Sequence, residues 1–396
     1  MYLSLYIDML QEVDTLNYKY NDLNKEIKKY TGGISVNITN YKHDKTLEAL
    51  SYITVSGQAL KNELNKLIPL MEEVSLKPNF NDINRIKERL LELKEDLTLS
   101  ITGKGHRVAL LRSLSYIDEN SRNQDDVSGI AYLDFISDLV NNFDNKINDI
   151  VSNFNKCKNY FTKSNIIVGI TTSKDNLDFA LNNIDSYYNN LIDDYNYEKE
   201  EFKENILNEA FLTEYKVSYN ALSAKYDYKI YDGAMNVLNN AISMDYLWIK
   251  VRVNGGAYGC FINTSPYGYV SFASYRDPNI LKTFDVYKNI SNFLNEFNPD
   301  LDKLTSLKIG AMGNLQLVLH PRDMAENARV AYLRGLTYEE RKKTREELIN
   351  ATLDDIKKEF DIFKNVNKEY VITTIGNKEE IEKNKSLYKN IRNLEK

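Results

Sequence analysis

Apolar residues recur at three- and four-residue steps over much of the first half of the chain, a spacing typical of amphipathic helices. The pattern predicts helices over residues 81–99, 105–112 and 125–154. Residues 1–10 are apolar, with an acidic residue among them and no leading Lys or Arg, so they predict a core helix rather than a signal peptide. We therefore expect a first half in which helices dominate.

Two segments predict strands and resemble each other, residues 161–172 and residues 363–374. Each has a β-branched run that ends in Thr-Thr, and an amphipathic helical stretch precedes it, which is typical of an α/β or α+β unit used twice. Coincidence between two common strand sequences is the alternative. Residues 30–36 place two glycines between a helix and an extended segment, which predicts a turn into a strand.

The second half alternates strand and helix patterns. Residues 248–253 and 267–274 have the alternation of strands, and the first of these runs into Gly255 and Gly256. The turn at residues 276–279 predicts that Asp277 or Asn279 caps a following aromatic-rich helix. Residues 337–340 form a capping-box pattern, which predicts a helix to about residue 360.

These patterns predict an α+β fold with two similar domains, each a mixed, mostly antiparallel sheet packed against long helices. A chain of 396 residues suits two domains. An acidic, asparagine-rich stretch predicts a partly helical linker at 191–215. The first α/β domain is then 1–190, without zinc and structural, and the second is 216–396.

Composition argues against nucleic acid and membranes as partners. The net charge is −6 with mixed signs, and no apolar run approaches the ~18 residues that cross a bilayer. Cys157 and Cys260 are the only cysteines, too few for a disulfide framework or a cysteine metal site. Their scarcity favours a reducing compartment, and we expect a cytoplasmic protein.

Catalytic motifs that act on their own are absent from the sequence. The three histidines, His43, His106 and His320, are isolated, and no His-x-x-Glu-His or His-Glu-x-x-His pair is present. Neither a nucleophile elbow nor a phosphate-binding or dinucleotide-binding loop occurs. We therefore expect no metal site in this chain.

Arg252 and Tyr258 are the candidate functional pair, six residues apart around the glycines. On a strand, Arg252 would face solvent or a cavity, and Gly255 and Gly256 would let another backbone approach, so that an extended substrate could add as a strand. Such a pair can hold a peptide carbonyl or a developing oxyanion, but it cannot start hydrolysis. The alternative is a surface arginine beside a bulged strand whose tyrosine fills the core.

At this segment the sequence resembles the C-terminal half of presequence-protease-type metallopeptidases, the falcilysin-like branch of the pitrilysin and insulinase superfamily. The resemblance is carried by Arg252-x-x-Gly-Gly-Ala-Tyr258-Gly, by Ser274-Tyr-Arg-Asp-Pro-Asn279, by the opening Tyr30-Thr-Gly-Gly-Ile34, and by Gly105-His106 before Arg112-x-x-x-Tyr116. These motifs span nearly the whole chain in order.

The resemblance implies two bowl-shaped halves that close around a chamber for unfolded peptides, of which this chain would be the second. In that family zinc is bound in the N-terminal half by His-x-x-Glu-His, whose glutamate is the general base. That catalytic half would be the partner, in the same polypeptide or a separate chain. Arg252 would hold a substrate carbonyl and Tyr258 would donate to the oxyanion, so the fragment alone would be inactive.

Two other interpretations remain open at the level of sequence. One is a non-catalytic subunit of the same superfamily that captures peptides or acts as a scaffold, although such a subunit would not need both Arg252 and Tyr258. The other is a coiled-coil interaction protein, which is disfavoured because strands and glycine turns interrupt the helical stripes.

Overall fold

The computed structural model describes residues 1–196, 200–315 and 318–394. The α-helices are α1 (Tyr2–Met9), α2 (Tyr20–Tyr30), α3 (Leu64–Leu76), α4 (Ile83–Gly103), α5 (Gly105–Leu114), α6 (Glu119–Ser128), α7 (Ile130–Asn141), α8 (Phe143–Cys157), α9 (Leu177–Asn189), α10 (Met235–Ala241), α11 (Leu281–Lys288), α12 (Ile290–Glu296), α13 (Leu301–Leu315), α14 (Pro321–Arg334), α15 (Tyr338–Asn350), α16 (Leu353–Lys358) and α17 (Lys378–Lys383). A π-helix spans Ile242–Val253, and 3-10 turns span Lys61–Glu63, Lys158–Tyr160, Lys174–Asn176, Tyr228–Ile230, Glu359–Phe363 and Lys385–Leu387. The strands are β1 (Ile34–Lys42), β2 (Ala49–Gly57), β3 (Glu209–Thr213), β4 (Tyr219–Lys225), β5 (Gly259–Ser265), β6 (Tyr269–Tyr275), β7 (Val371–Asn377) and β8 (Asn390–Asn393).

The chain divides into two compact units. The first unit comprises Met1–Asn40, Leu50–Leu99 and Asp126–Glu201, and the second unit comprises Tyr41–Ala49, Ser100–Asp125 and Phe202–Lys396. The units interleave along the sequence, whereas the predicted domains, 1–190 and 216–396 around a linker at 191–215, are continuous and remain a prediction. Residues 197–199 of that linker lie outside the described residues.

The first unit is mainly helical. Helix α1 buries Tyr6 completely, and the ring of Tyr6 lies 5.5 Å from that of Phe80 and 5.9 Å from that of Phe154, so the predicted core helix is confirmed. Strands β1 and β2 pair as a two-stranded sheet. The predicted turn into a strand at residues 30–36 is also confirmed, with Gly33 at a φ of 116° just before β1.

The strand predicted within residues 161–172 is wrong. This segment is irregular apart from an isolated bridge at Thr162, and Ile167 and Val168 are 45% and 49% exposed. A β-branched run forms a strand only where a neighbouring strand takes up its backbone hydrogen bonds, and no described strand lies beside it. Its counterpart at residues 363–374 does end in a strand, β7, so the predicted duplication is found at one of its two segments.

The second unit is built on a six-stranded mixed sheet in the order β5-β6-β4-β7-β3-β8. Strands β5, β6, β4 and β7 run antiparallel in turn, whereas β3 pairs parallel with β7 and with β8. The predicted α+β class, with mixed and mostly antiparallel pairing beside long helices, is confirmed, although the sheet of the first unit has only two described strands.

Alternation along β4 gives the large sheet two different faces. Leu222 is fully buried in an apolar core with Leu238 of α10 and Phe284 of α11. On the opposite face Ser223 meets Ser113 of α5 across 2.7 Å between their hydroxyl oxygens. Helix α5 therefore lies on one face of the sheet, and the hydrophobic core lies on the other.

Two predicted helix boundaries need correction. The capping box at Thr337 is confirmed, but its helix ends at Asn350, because Thr352 forms a second capping box that starts α16. The prediction that Asp277 or Asn279 caps α11 is wrong, since neither side chain caps it. Asp277 instead accepts a hydrogen bond from the Thr283 hydroxyl at 2.6 Å inside the protein.

The buried carboxyl of Glu359 gives a prediction about alkaline stability. Burial, and the neighbouring Asp232, raise the pKa of Glu359 from 4.5 to about 9. The folded state therefore keeps a proton that the unfolded state releases above 4.5, so this group's stabilising contribution is lost as the pH rises from 4.5 to about 9. We expect Glu359→Gln to raise the free energy of unfolding by about 2 kcal/mol near pH 8 and to change it little near pH 4.

Denaturant unfolding at the two pH values measures this effect. The exposed Glu346, on α15, provides the control as Glu346→Gln, which should follow the wild type at both pH values. A gain for Glu359→Gln of equal size at both pH values would contradict a titration effect.

Candidate functional site

The segment that carries Arg252 is a π-helix, so the strand predicted at residues 248–253 is wrong. Asn254 N–H donates to the Ile249 carbonyl at 2.9 Å, the five-residue step of a π-helix. The buried residues Ile242, Tyr246, Leu247 and Val251 recur at four- to five-residue steps and pack into the core of the second unit. The alternation at residues 249–253 is thus incidental to a helical apolar face that begins further upstream.

The helical conformation brings Arg252 onto the face of Trp248, one turn earlier. The guanidinium carbon lies 3.8 Å from the centre of the indole ring, which is cation–π contact. The Trp248 side chain is 43% exposed, so this contact lies at the surface. Stacking restricts the orientation of the guanidinium while its N–H groups remain able to donate.

Gly255 and Gly256 turn the chain from the π-helix into β5. A Cβ at Gly255 would lie 2.4 Å from the carbonyl oxygen of Val251, and Gly256 has a φ of 81°, which favours glycine. The sequence predicted that a backbone approaches the glycines closely. The backbone that does so is the last turn of the preceding helix.

The turn is held from the other side by Asn279, which the sequence reading did not assign to the site. Its side-chain amide donates to the Gly255 carbonyl at 2.5 Å. The backbone N–H of Asn279 donates to Asp277 at 2.9 Å, and its carbonyl accepts from Asn220 at 2.8 Å. The proximity of the Asp-Pro-Asn motif to the Gly-Gly motif is a tertiary contact that sequence spacing does not reveal.

Tyr258 lies beside Arg252, as the sequence analysis expected. The Arg252 guanidinium carbon is 5.8 Å from the centre of the Tyr258 ring, and this side chain is 65% exposed. Its ring also meets that of Tyr275 edge to face at 5.7 Å. The alternative in which Tyr258 fills the core is therefore wrong.

Strand β5 follows this pair and forms one edge of the six-stranded sheet, where β6 is its neighbour among the described strands. Phe261 on β5 is 48% exposed. An edge strand offers unpaired backbone groups to an extended chain. Arg252, Tyr258 and the β5 edge thus combine side-chain donors, aromatic rings and a peptide-like edge on one part of the second unit.

His106 extends the same surface with a further cluster of rings. It lies 5.4 Å from the ring of Phe261, 4.8 Å from that of Tyr275 and 6.5 Å from that of Tyr219. Burial, and then the neighbouring charge of Arg107, lower the pKa of His106, which favours a neutral imidazole near pH 7. The sequence reading treated His106 as isolated because these rings come from distant strands.

The Arg112-x-x-x-Tyr116 motif has a structural role in the second unit. Arg112 pairs with Glu209 at 2.8 Å and with Asp125 at 2.7 Å, and the Tyr116 hydroxyl donates to Glu209 at 2.5 Å. Asn390 also donates to Glu209. Burial raises the pKa of Glu209, but Arg112 and these hydrogen bonds outweigh it and lower the pKa overall.

The described side chains do not make a metal site. Within residues 1–196, 200–315 and 318–394, no group of three or more His, Cys, Asp or Glu is placed to hold a metal ion. His43 accepts hydrogen bonds from the backbone of Lys45 and Thr46, and His320 precedes α14. None of the described helices has the length and apolar character needed to span a bilayer.

The glycine turn gives a testable stability prediction. We expect Gly256→Ala to lower the free energy of unfolding by about 1–2 kcal/mol, because alanine is strained at a φ of 81°. Gly313→Ala in α13 is the matched control, since a Cβ there meets nothing within 4 Å and should stabilise the helix by up to about 1 kcal/mol. Denaturant unfolding of both variants makes the measurement, and equal effects would contradict a strained turn.

Comparison with known families gives two matches along the chain. Residues 1–139 match the model of the domain associated with M16 peptidases of subfamily C, and residues 208–378 match the model described as the PreP C-terminal domain. Protein HypA of Clostridium perfringens is 33% identical over 400 residues, which cover 99% of this chain and 41% of that protein. Presequence protease 1 of Arabidopsis thaliana is 28% identical and covers 89% of this chain and 33% of its own length.

Solved structures show the same fold at low sequence identity. An M16 peptidase inactive domain from Pseudomonas fluorescens has a TM-score of 0.64 and 14% identity over 95% of this chain and 88% of its own. Pitrilysin has a TM-score of 0.56 and 11% identity over 94% of this chain and 38% of its own. This sequence spans less than half the length of the two curated relatives. From these matches, the chain belongs to the M16 peptidases of the presequence-protease type and corresponds to their C-terminal half.

Proposed function

We propose that this chain is the zinc-free half of a zinc-dependent oligopeptidase that encloses unfolded peptides in a chamber. In this proposal Arg252 and Tyr258 bind the substrate at a zinc site contributed by an N-terminal catalytic half, in the same polypeptide or in a separate chain. The observation that carries the proposal is the exposed Arg252–Tyr258 pair, held between Trp248 and the β5 edge. The M16 relatives support a peptidase context.

The chemistry assigned to this chain is donation of hydrogen bonds. The guanidinium of Arg252, oriented by Trp248, donates to a carbonyl oxygen of the bound peptide. The Tyr258 hydroxyl donates to the oxygen on which negative charge develops, and such a preorganised donor lowers the barrier by a few kcal/mol. The described residues do not fit zinc, so the metal and the general base belong to the other half.

The β5 edge supplies the third element of this proposal. An extended peptide pairs with the main chain of β5, which places successive peptide carbonyls along the edge beside Arg252 and Tyr258. Main-chain pairing tolerates many sequences, which suits an enzyme that acts on unfolded peptides.

Complementation tests the proposal. The chain is mixed with a separately produced protein that carries His-x-x-Glu-His, and cleavage of a quenched fluorescent peptide is followed. We expect cleavage only in the mixture, abolished by a chelator and restored by zinc. Cleavage that the catalytic half performs equally well alone would contradict the proposal.

The alternative is a non-catalytic peptide-binding or scaffolding subunit of the same superfamily. It predicts that the chain binds unfolded peptides and joins the catalytic half, while Arg252→Ala and Tyr258→Phe leave the cleavage rate unchanged. The exposed state of the Arg252–Tyr258 pair favours the catalytic version.

A further inference from the structure

We propose that Arg276 is a second cationic binding position, next to the Arg252–Tyr258 pair, and that it accepts a carboxylate of an extended peptide. This inference rests on the proposed peptide-binding function and names a substrate class for it. The carboxylate is either an acidic side chain or the free C-terminus of the peptide.

The backbone at Arg276 adopts a conformation that L-residues rarely take. Its φ is 49°, and among the described non-glycine residues only Leu47 and Asn165 share a positive φ. Such strain persists where the surrounding structure imposes it, often at ligand-binding sites. Here β6 has just ended at Tyr275, and Asp277 N–H donates to the Ser218 carbonyl at 2.8 Å. The turn removes Arg276 from the strand alternation, so its side chain can lie over its neighbour Tyr275.

Aromatic groups hold the exposed Arg276 side chain. Its guanidinium carbon lies 5.4 Å from the centre of the Tyr275 ring. It also donates a hydrogen bond to the hydroxyl of Tyr219, a group whose pKa is raised by burial. The same Tyr275 ring meets Tyr258, so contacts between rings connect the guanidinium groups of Arg276 and Arg252.

Neither of these arginines has an acidic partner in the part of the chain that the structure describes. Arg252 and Arg276 have cation–π contacts but no ion pair with a described carboxylate. Other arginines of the second unit are paired, for example Arg112 with Glu209 and Arg334 with Asp44. A stacked guanidinium without a carboxylate can bind one in a bidentate manner.

Charge complementarity therefore favours a peptide that carries negative charge. His106 adds no positive charge near pH 7, because burial lowers its pKa, so the two guanidinium groups dominate the local charge. A peptide that pairs with β5 runs past Tyr258 and the exposed Phe261, which offers an apolar contact beside the charged one. The expected ligand is an extended peptide with a carboxylate next to an apolar side chain.

Fluorescence anisotropy with the 396-residue chain tests this inference without the catalytic half. One short labelled sequence is made with Glu or Gln at a single position, each with a free or an amidated C-terminus. An acidic side-chain ligand predicts about tenfold tighter binding of both Glu peptides, whereas a terminal ligand predicts that only amidation weakens binding. The preference should decrease with added salt. Equal affinity for all four peptides would overturn the inference.

Arg276→Gly separates binding from folding, because glycine relieves the positive φ while it removes the guanidinium. We expect Tm to rise by roughly 3 °C and the carboxylate preference to disappear, with binding of the uncharged peptide retained. Arg345→Gln is the control, since Arg345 also lies over a ring, that of Tyr338, elsewhere in the unit. A preference that survives Arg276→Gly, or equal loss for charged and uncharged peptides, would contradict the assignment.

The binding result is independent of the cleavage result. A carboxylate preference that depends on Arg276, found together with a failure of complementation, would refute the proposed peptidase function but not this binding position. Cleavage that depends on Arg252 and Tyr258 without any carboxylate preference would have the opposite meaning.

Discussion

Tyr258→Phe is expected to lower kcat of the complemented peptidase about 100-fold and to change KM little. The variant removes one hydroxyl that is proposed to donate in the transition state, and loss of a single oxyanion donor has an effect of that order. Because the side chain is 65% exposed, the fold should be unaffected. Arg252→Ala should lower kcat/KM by a similar factor and also raise KM, since a substrate-carbonyl contact is lost before the transition state.

Steady-state cleavage of the fluorescent peptide, with circular dichroism of each variant, makes this measurement. Tyr332→Phe is a matched control, because Tyr332 is 72% exposed on α14. Arg252→Lys keeps the charge but loses the planar stacking on Trp248, so it should recover only part of the activity. Wild-type kinetics for both Tyr258→Phe and Arg252→Ala would show that the pair has no role in turnover.

The second large effect is expected from Arg112→Met, which should lower the free energy of unfolding by about 3–5 kcal/mol. The variant leaves the buried carboxylates of Glu209 and Asp125 without their cation, whose side chain is only 11% exposed. Removal of one partner from a buried ion pair has a cost of that order. Denaturant unfolding at neutral pH measures it.

Arg329→Met provides the contrast, because its pair with Glu326 is half exposed and should contribute less than about 1 kcal/mol. The pH dependence has a definite sign. The pKa of Glu209 is lowered from its ordinary 4.5, so its stabilisation is present above 4.5 and is lost as the pH falls through the lower folded value. Arg112→Met should weaken this acid sensitivity, and a similar loss of stability in both variants would contradict a buried ion cluster.

Local sequence signals predicted the elements whose boundaries depend on neighbouring residues. The apolar stripe of α4, the capping box at Thr337 and the glycine turn before β1 are formed within a few residues of chain, so their patterns were sufficient. The predicted strand at residues 161–172 failed because a strand requires a partner, and pairing is decided by distant segments.

The candidate site shows the same division. The sequence predicted the Arg252–Tyr258 pair and its glycine turn, but it placed Arg252 on a strand. The alternation at residues 249–253 resembled a strand, whereas the buried face from Ile242 to Val251 makes the segment a π-helix. Asn279 and Arg276 were seen only as turn residues, since their contacts with Gly255 and Tyr219 cross long stretches of chain.

By itself, the sequence determined the α+β class, the resemblance to the C-terminal half of a presequence protease, and the two side chains at the centre of the candidate site. These follow from composition, spacing and motifs that are read along the chain. Only the tertiary structure decided the helical form of residues 242–253, the burial of Glu209 beside Arg112, and the ring contacts that link Arg252, Tyr258 and Arg276. The physical reason is that packing, desolvation and strand pairing depend on segments far apart in sequence, which no local pattern specifies.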